Sequence, residues 1–164
     1  MPPTPDKADP ILPARSLLQS LSINCRITLY LLDSLDPAAW RVTPPGANGR
    51  DIASVFAHIH SVRLMWLKAN GHTPFPAAVD KETVTIAKAR KALEESAAGL
   101  EILVRNSVEG DGRIKNFNPD VYAFVGYLVA HEAHHRGQAS LLARFAGFPI
   151  SKQTNFGMWE WGNR

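Results

Sequence analysis

The sequence predicts an all-α fold, a four-helix bundle, on three grounds. Apolar residues recur every three or four positions in four separate stretches. Proline, asparagine and glycine gather between those stretches. No segment alternates β-branched residues with a period of two. With 164 residues, 45% of them hydrophobic, the chain can fill one shared core, so a single domain over residues 13–164 is expected.

Residues 1–12 are rich in proline and charge and should form a disordered or draped N-terminal arm. Beyond them Leu18, Leu21, Cys25, Leu29, Leu32 and Leu35 share one helical face, giving a first helix over 12–35. Asp36-Pro37 is a capping residue followed by a proline suited to the first helical position, which predicts a short extra turn through Trp40. After the loop 43–49 a second helix should begin at Arg50 or Asp51 and run to Ala69. Its stripe is Ile52, Val55, Phe56, Ile59, Val62 and Trp66, and Gly71 follows its end. Asp80 is the expected cap of a third helix that carries Ile86, Leu93, Ala97, Leu100 and Leu103 to Arg105. Asn118-Pro119 repeats the cap-then-proline device, so the fourth helix should start there and end at Ala146, before Gly147 and Pro149. The tail, with Trp159 and Trp161, is expected to pack back on the body.

Charge excludes some functions. The net charge of +3 comes from 18 basic and 15 acidic residues that are interspersed, and no aromatic residues are interleaved with the basic ones, so no nucleic-acid partner is expected. No stretch is long and apolar enough to span a bilayer, and the N-terminus lacks the apolar run of a signal peptide. The single cysteine, Cys25, lies in an apolar stripe and has no partner for an internal disulfide. A cytoplasmic protein that avoids membranes is the expectation.

The chemistry concentrates in the fourth helix, at His131-Glu132-Ala133-His134-His135-Arg136-Gly137-Gln138. At about 100° per residue, Phe124, Leu128, Leu142 and Phe145 fall within about 60° of His131, and His135 and Gln138 share that face. An imidazole buried without a partner costs on the order of 1–3 kcal/mol, so two in adjacent turns call for an explanation. A shared divalent metal supplies it, because residues at i and i+4 stand close enough for both rings to meet one ion. The plain alternative is a pair of core histidines bonded to each other, to Gln138 or to water. His134 sits at the edge of the stripe, and Arg136 and Arg144 are expected to project outward.

A third ligand must come from elsewhere. His72 is set aside in its loop beside Gly71, while His58 and His60 flank the stripe of the second helix at equal angles, and periodicity does not choose between them. Arg63 falls near the middle of that stripe, where a charged residue requires a carboxylate or carbonyl partner across the bundle, or else a stem that lies along the surface.

His131 to His135 also matches H-E-x-x-H, in which two histidines hold zinc and the glutamate acts as base. An extended form of that motif would place Gly at 138 and His at 141, where this chain has Gln138 and Leu141. No strand is available to hold a peptide substrate. A zinc peptidase is therefore the remote alternative.

The segments Phe56 to Leu67 and His131 to Gln138, with Gly147 and the ending Phe156-Gly157-Met158-Trp159-Glu160-Trp161-Gly162, resemble the DinB-like family, related to the YfiT-like thiol transferases. The resemblance implies a four-helix bundle, often a homodimer, with nickel or zinc held by His58, His131 and His135 and one or more positions open to water. His60 is the alternative to His58. It further implies a metal-dependent enzyme of thiol S-transferase or hydrolase type, acting on a small thiol and an electrophile. The competing expectation is a non-catalytic, stress-associated binding module whose metal site is structural or vestigial. For a catalytic member, Glu132, His134 and Gln138 are the nearest candidates for proton transfer or ligand support, although Glu132 points sideways from the histidine face.

Overall fold

Capping residues set the helix boundaries. The computed structural model describes residues 11–46 and 49–163, and among these it contains four long helices and no strand. They are α1 (Ile11–Asp33), α2 (Ile52–Ala69), α3 (Ile86–Glu109) and α4 (Val121–Phe145), followed by the short α5 (Lys152–Gly157). Single 3₁₀ turns lie at Pro37–Ala39 and Trp161–Asn163. Of the expected N-terminal arm, residues 11 and 12 open α1 and the rest lies outside the described residues.

The Asp36-Pro37 device forms as expected, Asp36 accepting the Ala38 amide at 2.8 Å. Asp51 caps α2 by accepting from the Ser54 amide. Gly71 follows the end of α2 at φ +69°, a left-handed conformation that glycine adopts without a Cβ penalty. Two expected starts are corrected. Thr85, not Asp80, caps α3; Asp80 instead closes a separate turn, accepting from the Glu82 amide and the Thr83 hydroxyl. The chain breaks there because Val84 is drawn into the core and its carbonyl accepts from Trp40 Nε1 and Arg41. Likewise Asp120 caps α4, two residues after Asn118. The third helix also continues past Arg105 to Glu109.

Around the bundle the order is α1, α3, α2, α4, so α4 packs between α1 and α2. At Gly99 an added Cβ would come within 2.8 Å of Leu67 Cδ1, so the lack of a side chain permits the close approach of α2 and α3.

The core has two apolar halves. One gathers Leu31, Leu32, Trp40, Ile52, Phe56, Ile59, Leu93 and Ala143. The other gathers Leu21, Leu64, Leu67, Leu100, Val104, Phe124 and Leu128. Near the junction of these halves each long helix carries buried polar residues: Asn24 and Thr28, His60 and Arg63, Ser96, and Glu132, His135 and Arg136. A polar layer thus crosses the bundle at mid-height, and the histidines lie at its level.

Candidate metal centre

The polar layer is organised by one carboxylate. Glu132, 1% exposed, accepts from Arg63 Nε and Nη2, each at 2.8 Å, from Asn24 Nδ2 at 2.9 Å and from Thr28 Oγ1 at 2.9 Å. Arg63 is equally buried and donates its remaining Nη1 to the Leu93 carbonyl. Arg136 Nη1 bonds Asn24 Oδ1 and Thr28 Oγ1 and lies 4.0 Å from Glu132. Burial pushes the Glu132 carboxyl up, but the Arg63 guanidinium and its hydrogen bonds outweigh this and hold it below the usual carboxylate range. Glu132 is therefore ionised at neutral pH.

This arrangement corrects the expected face of α4. The buried residues Phe124, Val125, Leu128, Glu132, Ala139 and Ala143 centre close to Glu132, about 100° from His131. His131 and His135 therefore lie toward the rim of the bundle rather than at its axis. Phe145, expected to share their face, is 63% exposed. Arg136, expected to project outward, is buried against α1, because Asn24 and Thr28 offer its guanidinium oxygen partners. Arg144 is exposed, as expected.

At that rim three imidazoles converge. Ring centroids are 4.5 Å apart for His131 and His135, 4.6 Å for His58 and His135, and 5.4 Å for His58 and His131. One ring nitrogen from each lies within 4.8 Å of the other two, so the three histidines can hold a metal ion. His131 Nε2 and His135 Nε2 are 3.1 Å apart. Two nitrogens at about 2.0–2.1 Å from a common ion, with angles near those of a tetrahedron or octahedron, stand about 2.9–3.4 Å apart.

Protonation and orientation suit the same role. Burial lowers the pKa of His58, with help from Arg50, and that of His131, with help from His58. His135 is lowered to about 4, burial again being the largest cause. All three rings are neutral at pH 7 and offer a lone pair. His135 Nδ1 donates to Gln138 Oε1 at 2.8 Å, which fixes the tautomer so that Nε2 is the free donor atom. Gln138 in turn donates from its amide nitrogen to His134 Nε2 at 2.9 Å and accepts from Arg50 Nη1 at 3.3 Å. His134 stays exposed, its ring 5.0 Å from that of His135.

His60 faces the other way. Its Nε2 donates to the Ala77 carbonyl at 2.8 Å and its Nδ1 lies 3.1 Å from Ser96 Oγ, toward α3, so both nitrogens are engaged away from the triad. Of the two histidines that flank the α2 stripe, His58 is the one that groups with His131 and His135. Sequence reasoning identified Arg63 as requiring a buried partner but did not connect it to Glu132, and it missed Asn24, Thr28 and Arg50. The available signal was Asn24 and Thr28 at i and i+4 beside Cys25, matched by Glu132 and Arg136 at the same spacing.

No helix among the described residues is long and apolar enough to cross a membrane. Comparison with curated proteins and with solved structures yields no match. The model of the DinB family matches residues 6–161. That span takes in all four long helices and the three histidines whose rings converge, and the chain belongs to the DinB family.

Proposed function

We propose that this chain is a metal-dependent enzyme of the thiol S-transferase or hydrolase type, with His58, His131 and His135 holding a divalent ion. The observation that carries this reading is the composition of the cluster: three neutral imidazoles and no carboxylate or thiol, with His58 at the exposed edge. Three neutral ligands leave the ion's charge uncompensated and leave coordination positions for small molecules, as in catalytic rather than structural sites. Nickel or zinc suits such a set. When bound, an ion of this kind acts as a Lewis acid that makes water or a thiol ionise near neutral pH.

The protein's own residues supply orientation and field. Gln138 holds the His135 ring, and the Arg50 guanidinium beside it favours an anionic nucleophile or substrate group at the open side. Glu132 is an unsuitable base, since its carboxylate is buried and already accepts from Arg63, Asn24 and Thr28. That argues against the zinc-peptidase alternative. His134, exposed and one turn from His131, is the candidate proton carrier. A small thiol and an electrophile as substrates, a homodimer and a cytoplasmic location complete the reading.

One observation favours a second reading, a non-catalytic module with a structural or vestigial site: His134 Nε2 accepts from the Gln138 amide, which occupies the lone pair that proton transfer would use. Elemental analysis of untagged protein, followed by a screen of thiols against electrophiles, separates the two. The enzyme reading expects about one equivalent of nickel or zinc and a turnover lost in His135→Ala. Metal uptake that raises the melting temperature with no turnover across the screen supports the module, and absence of uptake removes both.

A further inference from the structure

On the side of α4 opposite the histidine triad lies a cavity of about 350 Å³. Its walls are mostly apolar, with Ile27 from α1, Val129 and Ala133 from α4, and Met158, Trp159 and Trp161 from the tail, and Asn155 of α5 adds a polar side chain. Gly137 and Ser140 complete the α4 side, and Arg136 also borders the cavity. This volume and lining, a mostly apolar cleft with a few polar groups, are those of small-molecule sites. Trp159 stays 77% exposed beside it, an unusual placement for the largest apolar side chain.

The charge balance of the polar layer says what chemistry would enter. Two buried guanidiniums, Arg63 and Arg136, face a single carboxylate, Glu132, and Glu132 is fully engaged by Arg63. Burial holds His60 and His135 in their neutral forms, and Cys25, which borders the layer, is pushed up to about 11 by burial, so none of the three adds a charge. Arg136 uses only Nη1 in hydrogen bonds, to the neutral Asn24 and Thr28; among the described residues its Nη2 and Nε bond nothing. The layer thus holds one positive charge in excess, on a side chain nine-tenths buried, at the border of an apolar cavity. The nearest carboxylate oxygen, on Glu132, stands 4.0 Å away and is shared with Arg63, so an incoming anion would complete the pairing of this cation.

We propose that this cavity binds a small amphipathic organic anion, a carboxylate with a flat or short-chain apolar body, its carboxylate on Arg136 and its body against Trp159, Trp161 and Met158. The site is distinct from the metal centre, and its occupancy does not depend on a bound metal.

Calorimetric titration of the full-length protein with octanoate, benzoate and 2-naphthoate, beside the neutral 2-naphthylmethanol, tests it. At least one carboxylate should bind with a stoichiometry of one per chain and about tenfold or more tighter than the alcohol. Gly137→Leu should abolish binding by filling the cavity, since a Cβ there meets nothing within 4 Å and the helix gains a better former, so its melting temperature should hold or rise. Arg136→Met should erase the preference for the anion, and the Gly137 variant keeps the test decisive if that protein does not fold. Failure of all three carboxylates at millimolar concentration would overturn the proposal, as would equal binding of the alcohol or unchanged binding by Gly137→Leu. So would a wild-type dimer that Gly137→Leu dissociates in sedimentation, since a second copy would then occupy the cavity.

Discussion

Replacing Glu132 by glutamine should cost more stability than almost any other single polar substitution in this chain. The carboxylate lies at the meeting point of α1, α2 and α4, and its partners are all donors: two nitrogens of Arg63, the Asn24 amide and the Thr28 hydroxyl. Glutamine keeps the shape but removes the charge and puts an NH₂ where an acceptor stood. Arg63, 1% exposed, would then be a buried cation held only by neutral groups, with Arg136 nearby. Removing one member of a buried pair costs about 3–5 kcal/mol, against about 0–1 kcal/mol for an exposed pair such as Arg105–Glu101. For a chain of this length about 3–5 kcal/mol corresponds to a fall in melting temperature of roughly 6–20 °C.

Urea unfolding followed by circular dichroism measures the loss, and an unchanged m-value would show that both proteins unfold the same surface. Adding Arg63→Met to Glu132→Gln should cost less than the sum of the two single changes, with a coupling of about 1–3 kcal/mol. The wild type should also carry an acid-side dependence that the variant lacks. The Glu132 carboxyl sits below its unfolded value of 4.5, so its contribution is complete above that value and is lost as pH falls through the lower folded one. A loss under about 1 kcal/mol with additive single changes would refute the reasoning, because the pair would then be no stronger than an ion pair in water.

Nickel or zinc at about one hundred times its dissociation constant should stabilise the wild type by about 2.7 kcal/mol, and thermal shift should find no such gain in His131→Ala or His135→Ala. Gln138→Leu, which frees the His135 ring to turn, should weaken metal binding about tenfold to a hundredfold in calorimetric titration while leaving the fold intact by circular dichroism. His60→Ala should lower the melting temperature, since it leaves the Ala77 carbonyl without its donor, yet leave metal stoichiometry unchanged. The metal-free protein should lose stability as pH falls below 6.5. His58, His131 and His135 all have lowered folded values, so the unfolded chain takes up protons first, and for His135 the loss continues to about pH 4. Chemical denaturation across that range would show a flat profile if the rings were not held neutral.

The bundle was legible because helix type and number follow from apolar spacing, which is local. The cap at Asp36 was legible from the proline that follows it, and the cap of α3 was misread because Asp80 serves a different turn. The histidines of α4 were found because two imidazoles one turn apart are unusual whatever surrounds them. What the wheel misplaced was the centre of the buried face. Apolar residues alone pointed it at His131 and Phe145, whereas the true axis runs through Glu132, an acid whose burial depends on Arg63, 69 residues away. A rule that sends charges outward does not apply where the partner is supplied by another helix. Periodicity left His58 and His60 equal, and the contacts that separate them are also non-local, since His60 bonds Ser96 and the Ala77 carbonyl while His58 groups with His131 and His135.

The misread axis also bears on how the three histidines are brought to one level. These histidines come from two helices that share no short connection, so the height of α2 against α4 must be fixed by something other than a loop. Arg63 lies five residues beyond His58 on α2, and Glu132 lies between His131 and His135 on α4. Their paired 2.8 Å bonds set the two helices in register at the level where the three rings meet. Two parallel bonds between planar groups resist both sliding and rotation, which a single apolar contact does not. Asn24 and Thr28 extend the hold to α1, and the Arg63 bond to the Leu93 carbonyl extends it to α3, so all four long helices are referenced to one carboxylate. The second residue of the H-E-x-x-H pattern therefore ties α4 to α1 and α2 from inside the core, between the two histidines that flank it in sequence.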